Sequence, residues 1–245
     1  MGELGRIVAV VPAFREEAAI GGVVAGIKAV DPAIDVVVVD DGSPDRTAAA
    51  AAAAGAAVVR LPFNLGIGAA VQTGFRYALE HDYDTAVRLD GDGQHDPNEL
   101  PKLLATLAEG NADVVTGSRF VGPDRTYRPP FARRLGITWF AKLVSLLTRQ
   151  RVTDTTSGFQ ALNRKGISLF ARDYPSDYPE VEGTLLVLRT KLRLVEVPVV
   201  MKMREHGRSS ITLPKSIYYL FKVTLALLIA MARRATLPAD ERDPR

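Results

Sequence analysis

Residues 36–39 are four consecutive valines, and this run constrains the fold more than any other feature of the chain. An unbroken stretch of β-branched residues predicts a strand that is buried on both faces, the environment of a parallel sheet. Further short apolar runs predict strands at residues 7–11, 58–61, 86–89, 114–116 and 195–200. The chain is therefore expected to build its core around a sheet.

Helical patterns separate these strands along the chain. Apolar periodicity or alanine content predicts helices at residues 18–30, 47–54, 68–80, 99–109, 135–147 and 217–232. This alternation predicts an α/β fold with a mostly parallel central sheet flanked by helices. Ligands of such sheets bind beyond the carboxyl ends of the strands, so the residues that follow each strand are the first candidates for a site.

Two carboxylates follow the strand predicted at residues 86–89. Asp90 and Asp92 are separated by one glycine, and alternate residues of an extended segment point to the same side. Such a pair suits a hard divalent cation that bridges the oxygens of a diphosphate. The alternative is a plain strand-end turn, in which Asp and Gly are common.

Polar or aromatic groups also follow two other predicted strands. Asp41 comes after the valine run, where its carboxylate could accept a hydrogen bond from a base or a ribose hydroxyl. Phe14 and Glu16 come after the first strand and offer an aromatic surface and a second acceptor. A turn and a helix start, respectively, explain the same residues without a ligand. Residues 64–68 (NLGIG) indicate a tight turn before a helix whose N-terminus lies near the ligand.

These motifs together resemble the family 2 glycosyltransferases, which have the GT-A fold. The similarity lies in residues 11–17 (VPAFREE), 39–47 (VDDGSPDRT), 64–68 (NLGIG) and 90–97 (DGDGQHDP), and it extends across residues 6–210. Residues 117–119 (GSR), 156–160 (TSGFQ) and 204–210 (REHGRSS) are similar to the branch of dolichol-phosphate mannosyltransferases and bacterial polyprenyl-phosphate glycosyltransferases. The resemblance implies a Rossmann-like GT-A domain that acts as an inverting glycosyltransferase.

The resemblance also implies roles for individual residues. The residues that would bind the donor nucleotide are Pro12, Phe14, Glu16, Asp41, Asp90 and Gln94. Mg2+ or Mn2+ would be held by Asp90 and Asp92, and Arg204 would close over the diphosphate. The acceptor phosphate would bind Arg119 and Arg133, with Arg134 as a substitute for Arg133.

The expected reaction moves a hexose or N-acetylhexosamine from a nucleotide-diphosphate sugar, UDP in preference to GDP, to polyprenyl phosphate. Asp92 and Arg204 are the expected catalytic residues, because a cation and an arginine stabilise the leaving diphosphate. A phosphate acceptor is already an anion, whereas a glycan or small-molecule hydroxyl would need a general base, with Asp154 as the leading candidate. A non-catalytic nucleotide-sugar-binding subunit of a membrane complex is the other alternative.

The C-terminal region is expected to differ from the rest of the chain. We expect a GT-A domain at residues 1–210, an apolar and basic helix within residues 211–235 and a disordered tail at residues 236–245. Residues 216–232 predict a helix that lies on a membrane surface or contacts a small membrane protein, and a core helix or a homo-oligomer interface would also explain them. Basic flanks and a polyprenyl acceptor favour the membrane. The N-terminus shows no signal-peptide pattern, so a cytoplasmic protein at the cytosolic membrane face is expected.

Basic charge is concentrated in the second half of the chain. Residues 124–151 hold seven Arg or Lys against one acidic residue, and residues 201–235 hold another seven against one. These residues flank phosphate motifs and an apolar helix and do not form a groove with interleaved aromatic residues, so no nucleic-acid partner is expected. The absence of cysteine excludes disulfides and thiolate metal sites.

Overall fold

The computed structural model describes residues 4–121, 131–202 and 213–232 of the chain. Seven strands are present in this part: β1 (Ile7–Ala13), β2 (Asp35–Asp40), β3 (Ala57–Arg60), β4 (Thr85–Arg88), β5 (Val114–Ser118), β6 (Gln160–Asn163) and β7 (Leu194–Pro198). They form one sheet in the order β3-β2-β1-β4-β6-β5-β7. Strand β6 is antiparallel to both neighbours and every other pair is parallel. The predicted α/β fold with a mostly parallel sheet is therefore confirmed.

Helices connect the strands and cover both faces of the sheet. They are α1 (Ile20–Val30), α2 (Thr47–Ala53), α3 (Ile67–Glu80), α4 (Leu100–Ala108), α5 (Phe131–Thr148), α6 (Arg164–Arg172), α7 (Pro179–Arg189) and α8 (Leu213–Ala232). A short 3-10 helix (Pro97–Glu99) precedes α4. The six predicted helices are present, whereas β6, α6 and α7 were not predicted from the sequence.

Each buried strand contributes to a hydrophobic core on either side of the sheet. In β1, Ala9 and Val11 pack into the cluster that includes α1 and α4, while Val8 and Val10 pack into the cluster that includes α3 and α6. This two-sided burial explains why β1 and β2 lack an alternating polar pattern. The carboxyl ends of β1, β2 and β4 are thereby fixed side by side.

A third cluster joins α5, α7 and α8. Phe140 and Val144 of α5 pack with Val223 and Leu227 of α8 and with residues of α7. Within the described ranges, no helix is both long and apolar enough to cross a membrane. The domain boundaries predicted at residues 210 and 235, and the tail at residues 236–245, lie outside the described residues.

Candidate active site

A pocket of about 380 Å3 lies at the carboxyl ends of β1, β2 and β4. Its lining consists of Pro12, Ala13, Phe14, Glu16, Asp41, Asn64, Gly66, Ile67, Ala70, Asp90, Gly91 and Asp92. Five of the six residues predicted to bind the donor nucleotide lie in this lining, and so do both predicted metal ligands. The structure therefore brings together motifs that are separated by nearly eighty residues in the sequence.

Asp41 fixes one wall of the pocket. Its Oδ1 accepts a hydrogen bond from the backbone N–H of Leu65 at 2.7 Å, and its Oδ2 accepts one from Gly66 at 2.9 Å. Gly42 has a φ of +69°, and a Cβ there would lie 2.5 Å from the carbonyl carbon of Phe63. The motifs at residues 39–47 and 64–68 thus form one packed unit, in which Asp41 orders the loop that precedes α3.

Asp90 and Asp92, which follow β4, also line the pocket, and β1 separates β4 from the strand that precedes Asp41. The buried ring of His95 accepts a hydrogen bond from the backbone N–H of Asp90 through Nδ1 at 2.9 Å, and its Nε2 lies 3.8 Å from Oδ2 of Asp90. Burial lowers the pKa of His95, and because Nδ1 accepts a hydrogen bond, the neutral ring carries its proton on Nε2. Oδ1 of Asp92 accepts the backbone N–H of Gln94. Gln94 is half-buried and lies outside the lining of the pocket, where its carbonyl oxygen accepts the N–H of Lys202.

The two carboxylates fit a hard divalent cation that is shared with the substrate. Among the residues that the structure describes, no group of three or more His, Cys, Asp or Glu side chains could enclose a metal. Mg2+ commonly uses one or two carboxylates and completes its octahedron with phosphate oxygens and water, and Mn2+ favours the same oxygen donors. Asp90 and Asp92 would supply the protein ligands of such an ion.

Arg119 and Asp154, predicted as an acceptor-binding residue and a candidate base, form a buried ion pair. Nε of Arg119 lies 2.8 Å from Oδ2 of Asp154, and Nη2 lies 2.8 Å from Oδ1. Asp154 also accepts from the backbone N–H of Arg119 and from the N–H and hydroxyl of Thr156. Glu196 of β7 accepts the backbone N–H of Asp154, and its burial raises its pKa. Asp154 thus holds the Arg119 guanidinium in one orientation, and the roles predicted for both residues stay predictions.

The remaining predicted arginines are only partly described. Arg134 is exposed on α5. The side chain of Arg133 and the whole of Arg204 lie outside the described residues. Their assignment to the acceptor phosphate and to the diphosphate stays a prediction.

A functional candidate that sequence reasoning missed lies beside Asp90. Arg88, at the end of β4, is fully buried and contacts Tyr174, Glu180 and Asp90. Burial by itself would lower the pKa of Arg88, but Tyr174 and the carboxylates of Glu180 and Asp90 outweigh it and raise the pKa above its ordinary value. Arg88 therefore stays charged. A charged residue inside an apolar strand was the signal in the sequence, but its partners are 86 and 92 positions away along the chain.

Comparison with known proteins agrees with this geometry. The family model described as Glycosyl transferase family 2 matches residues 8–169. The chain is 32% identical to undecaprenyl-phosphate mannosyltransferase of Micrococcus luteus, over 84% of this chain and 88% of that protein. It is also 32% identical to polyprenol monophosphomannose synthase of Mycolicibacterium smegmatis, over 84% and 81% of the two chains.

A solved structure shares the fold. Glucosyl-3-phosphoglycerate synthase from Mycobacterium tuberculosis, in complex with Mn2+, UDP-glucose and phosphoglyceric acid, superposes with a TM-score of 0.70 and 24% sequence identity. The match covers 93% of this chain and 79% of that one. At this identity the similarity concerns the fold alone, and it confirms the GT-A-like arrangement.

Proposed function

Since the chain belongs to glycosyl transferase family 2 and is a glycosyltransferase, we propose that it transfers a hexose or N-acetylhexosamine from a nucleotide-diphosphate sugar to polyprenyl phosphate. The observation that carries the proposal is the pocket that brings Phe14, Glu16 and Asp41 together with Asp90 and Asp92. We assign the nucleoside to the first three residues and the diphosphate with its cation to the two aspartates.

The side chains of the pocket have different roles in binding the donor. Phe14 is partly exposed at the pocket and offers its ring to a base, and Glu16 offers an acceptor for a ribose hydroxyl. Asp41 is almost fully buried and accepts two hydrogen bonds from the loop before α3. Its main role in donor binding is therefore to keep this wall of the pocket rigid. This rigidity orients the donor before reaction.

The transfer itself needs a stabilised leaving group. A bound Mg2+ or Mn2+ would stabilise the negative charge that develops on the diphosphate. Asp90 and Asp92 would hold that ion, and Arg204 would add positive charge from the C-terminal side. An oxygen of the acceptor bonds to C1 of the sugar while the bond from C1 to the diphosphate breaks. The electron pair leaves with the nucleoside diphosphate, and the configuration at C1 inverts.

A phosphate acceptor suits the residues near this site better than a hydroxyl acceptor. Two relatives are named for transfer to undecaprenyl phosphate and for synthesis of polyprenol monophosphomannose. A phosphate oxygen is already ionised, so no base is required. Asp154, the leading candidate for such a base, is 1% exposed and accepts five hydrogen bonds from Arg119 and Thr156. We therefore propose that Asp154 fixes the orientation of Arg119, the residue proposed to bind the acceptor phosphate.

A polyprenyl acceptor requires contact with a membrane, and we propose the exposed apolar face of α5 and α8 for it. Phe221, Leu225, Leu228 and Ile229 lie on one side of α8 and are about half exposed or more. Trp139 of α5 donates a hydrogen bond to Thr224, which places its exposed ring beside this face. Exposed apolar residues next to basic ones favour a position at the surface of an anionic membrane, on its cytosolic side.

The proposed reaction is tested with radiolabelled UDP- and GDP-sugars and vesicles that contain polyprenyl phosphate. Label is expected to enter the organic phase only when polyprenyl phosphate and Mg2+ or Mn2+ are present, and Asp92→Ala is expected to abolish the transfer. Asp82→Ala is a matched control, because Asp82 is an exposed acid near the opposite end of β4. Label that appears only on soluble sugars would refute the acceptor class, and nucleotide binding without turnover in wild type would favour a binding subunit.

The membrane contact is tested by sedimentation with phosphatidylglycerol-containing vesicles. Replacing Phe221 and Leu225 together by Gln removes two apolar side chains, each worth about 1.5–3 kcal/mol when buried, and should weaken vesicle binding more than tenfold. Phe63→Gln is a control for a general loss of exposed apolar surface, because Phe63 is 62% exposed far along the chain from α8. Equal vesicle binding by all three proteins would contradict the proposed surface.

A further inference from the structure

Arg88 is the largest fully buried side chain of the described part, and it lies two residues before a proposed metal ligand. It ends β4, pairs across the sheet with Gln160 of β6 and is completely inaccessible to solvent. A buried guanidinium is costly unless it is paired and hydrogen-bonded, so its partners indicate its task.

The guanidinium contacts three groups at unequal distances. Nη1 donates to the hydroxyl of Tyr174 at 2.7 Å, and Nη2 donates to Oε1 of Glu180 at 2.7 Å. The same Nη2 lies 3.5 Å from Oδ1 of Asp90, beyond an ordinary charge-assisted hydrogen bond. Tyr174 follows the end of α6, and Glu180 lies in the first turn of α7. Together they hold Arg88 close to Asp90 but short of a full contact with it.

Two further features confine the Asp90 carboxylate from other sides. A Cβ on Gly158 would lie 2.9 Å from Nη2 of Arg88 and 3.3 Å from Oδ1 of Asp90, so any other residue there would require Arg88 to shift. His95 approaches Oδ2 of Asp90 and accepts the Asp90 backbone N–H. The carboxylate is thus confined between Arg88 and His95 while about a third of its side chain stays exposed.

We propose that Glu180 and Tyr174 are positioning residues that act through Arg88: they restrain its guanidinium, so that it stays near the Asp90 carboxylate without capturing it. The inference rests on the proposed function, because it takes Asp90 to be a ligand of the cation that accompanies the donor. Outer residues that orient a metal ligand commonly change metal affinity by about 10–100-fold when they are replaced.

The charges around Arg88 explain why the restraint matters. Arg88 carries one positive charge, which Glu180 balances at 2.7 Å, so Arg88 does not depend on Asp90 for a counter-charge. Without the charge of Glu180, Nη2 would have Asp90 as its only carboxylate partner. The guanidinium would then close on Asp90 and compete with the cation for the same oxygen.

The test measures how much Mn2+ strengthens nucleotide binding by the full chain, with no acceptor present. UDP and GDP are each titrated by calorimetry, once with Mn2+ and once with EDTA. For the nucleotide that binds more tightly, the affinity in Mn2+ divided by the affinity in EDTA isolates the contribution of the cation. Glu180→Gln is expected to lower this ratio about tenfold while affinity in EDTA stays within about twofold of wild type. Tyr174→Phe keeps every charge but loosens Arg88, and about a threefold fall is expected.

Rescue distinguishes positioning from a general structural role. The double variant Arg88→Gln with Glu180→Gln removes the competing cation, and its affinity ratio should return to within about threefold of wild type. Glu182→Gln, in the same first turn of α7, is the matched control and should leave the ratio unchanged. Melting temperatures are recorded for all variants.

A double variant that is as impaired as Glu180→Gln, or an unchanged ratio in both Glu180→Gln and Tyr174→Phe, would overturn the inference. Because the assay contains no acceptor, such a result leaves the proposed transfer intact. Failure of wild type to bind either nucleotide would instead overturn the proposed function itself.

Discussion

Replacing Asp154 by Asn is expected to lower the free energy of unfolding sharply, because the substitution leaves the buried Arg119 without its carboxylate partner. The side chains of Arg119 and Asp154 are 6% and 0% exposed. Water therefore cannot replace the lost charge, and the guanidinium remains buried with a neutral neighbour.

The magnitude follows from the hydrogen bonds of the two carboxylate oxygens. Oδ2 accepts from the backbone N–H and Nε of Arg119, and Oδ1 accepts from Nη2 of Arg119 and from the N–H and hydroxyl of Thr156. Whichever oxygen becomes an amide nitrogen then faces at least two donors. Each lost hydrogen bond to a charged group is worth about 1.5–3 kcal/mol, and breaking a buried pair costs about 3–5 kcal/mol. We expect a loss of about 3–5 kcal/mol.

Urea unfolding followed by circular dichroism measures this loss, with transfer activity recorded on the same preparations. The double variant Arg119→Met with Asp154→Leu replaces the pair by apolar groups and should recover stability to within about 2 kcal/mol of wild type. A loss below about 1 kcal/mol in Asp154→Asn, together with abolished activity, would refute the reasoning. That outcome would make Asp154 a general base and favour a hydroxyl acceptor.

Three further predictions concern the pocket. Gly158→Ala forces a Cβ against Arg88 and should weaken Mn2+-dependent nucleotide binding about tenfold by calorimetry; unchanged binding would show that the guanidinium can shift. Asp41→Ala leaves the N–H groups of Leu65 and Gly66 without their acceptor and should weaken nucleotide binding at least tenfold even in EDTA, with a smaller loss in Asp41→Asn. Burial lowers the pKa of His95 below its ordinary value of 6.5. Below pH 6.5 this histidine is therefore protonated to a greater extent in the unfolded chain than in the folded one. Stability should therefore fall as the pH falls from 6.5, and His95→Asn should flatten this part of the pH profile of the unfolding free energy; an equal slope in both proteins would contradict the assignment.

The pocket is the part of the site that local patterns predict well. Pro12, Asp41 and Asp90 each lie at or just beyond the end of a buried parallel strand, and such ends meet at one edge of the sheet. Gln94 shows the limit of this reasoning, since it belongs to the same motif as Asp92 but lies outside the pocket lining. A motif predicts which residues follow the strand, whereas the turn after the strand decides which of their side chains point into the pocket.

Local sequence patterns predicted the α/β class, a mostly parallel sheet and most of the candidate site residues that line the pocket. Burial of an apolar run and the position of the residue after it are local properties. The antiparallel position of β6 between β4 and β5 is visible only in the folded chain, because its four residues carry no strong strand pattern. The folded chain likewise shows that Arg88 binds Glu180, 92 residues away, and that Arg119 binds Asp154. Such pairs depend on how distant elements pack against one sheet, and no local periodicity encodes that packing.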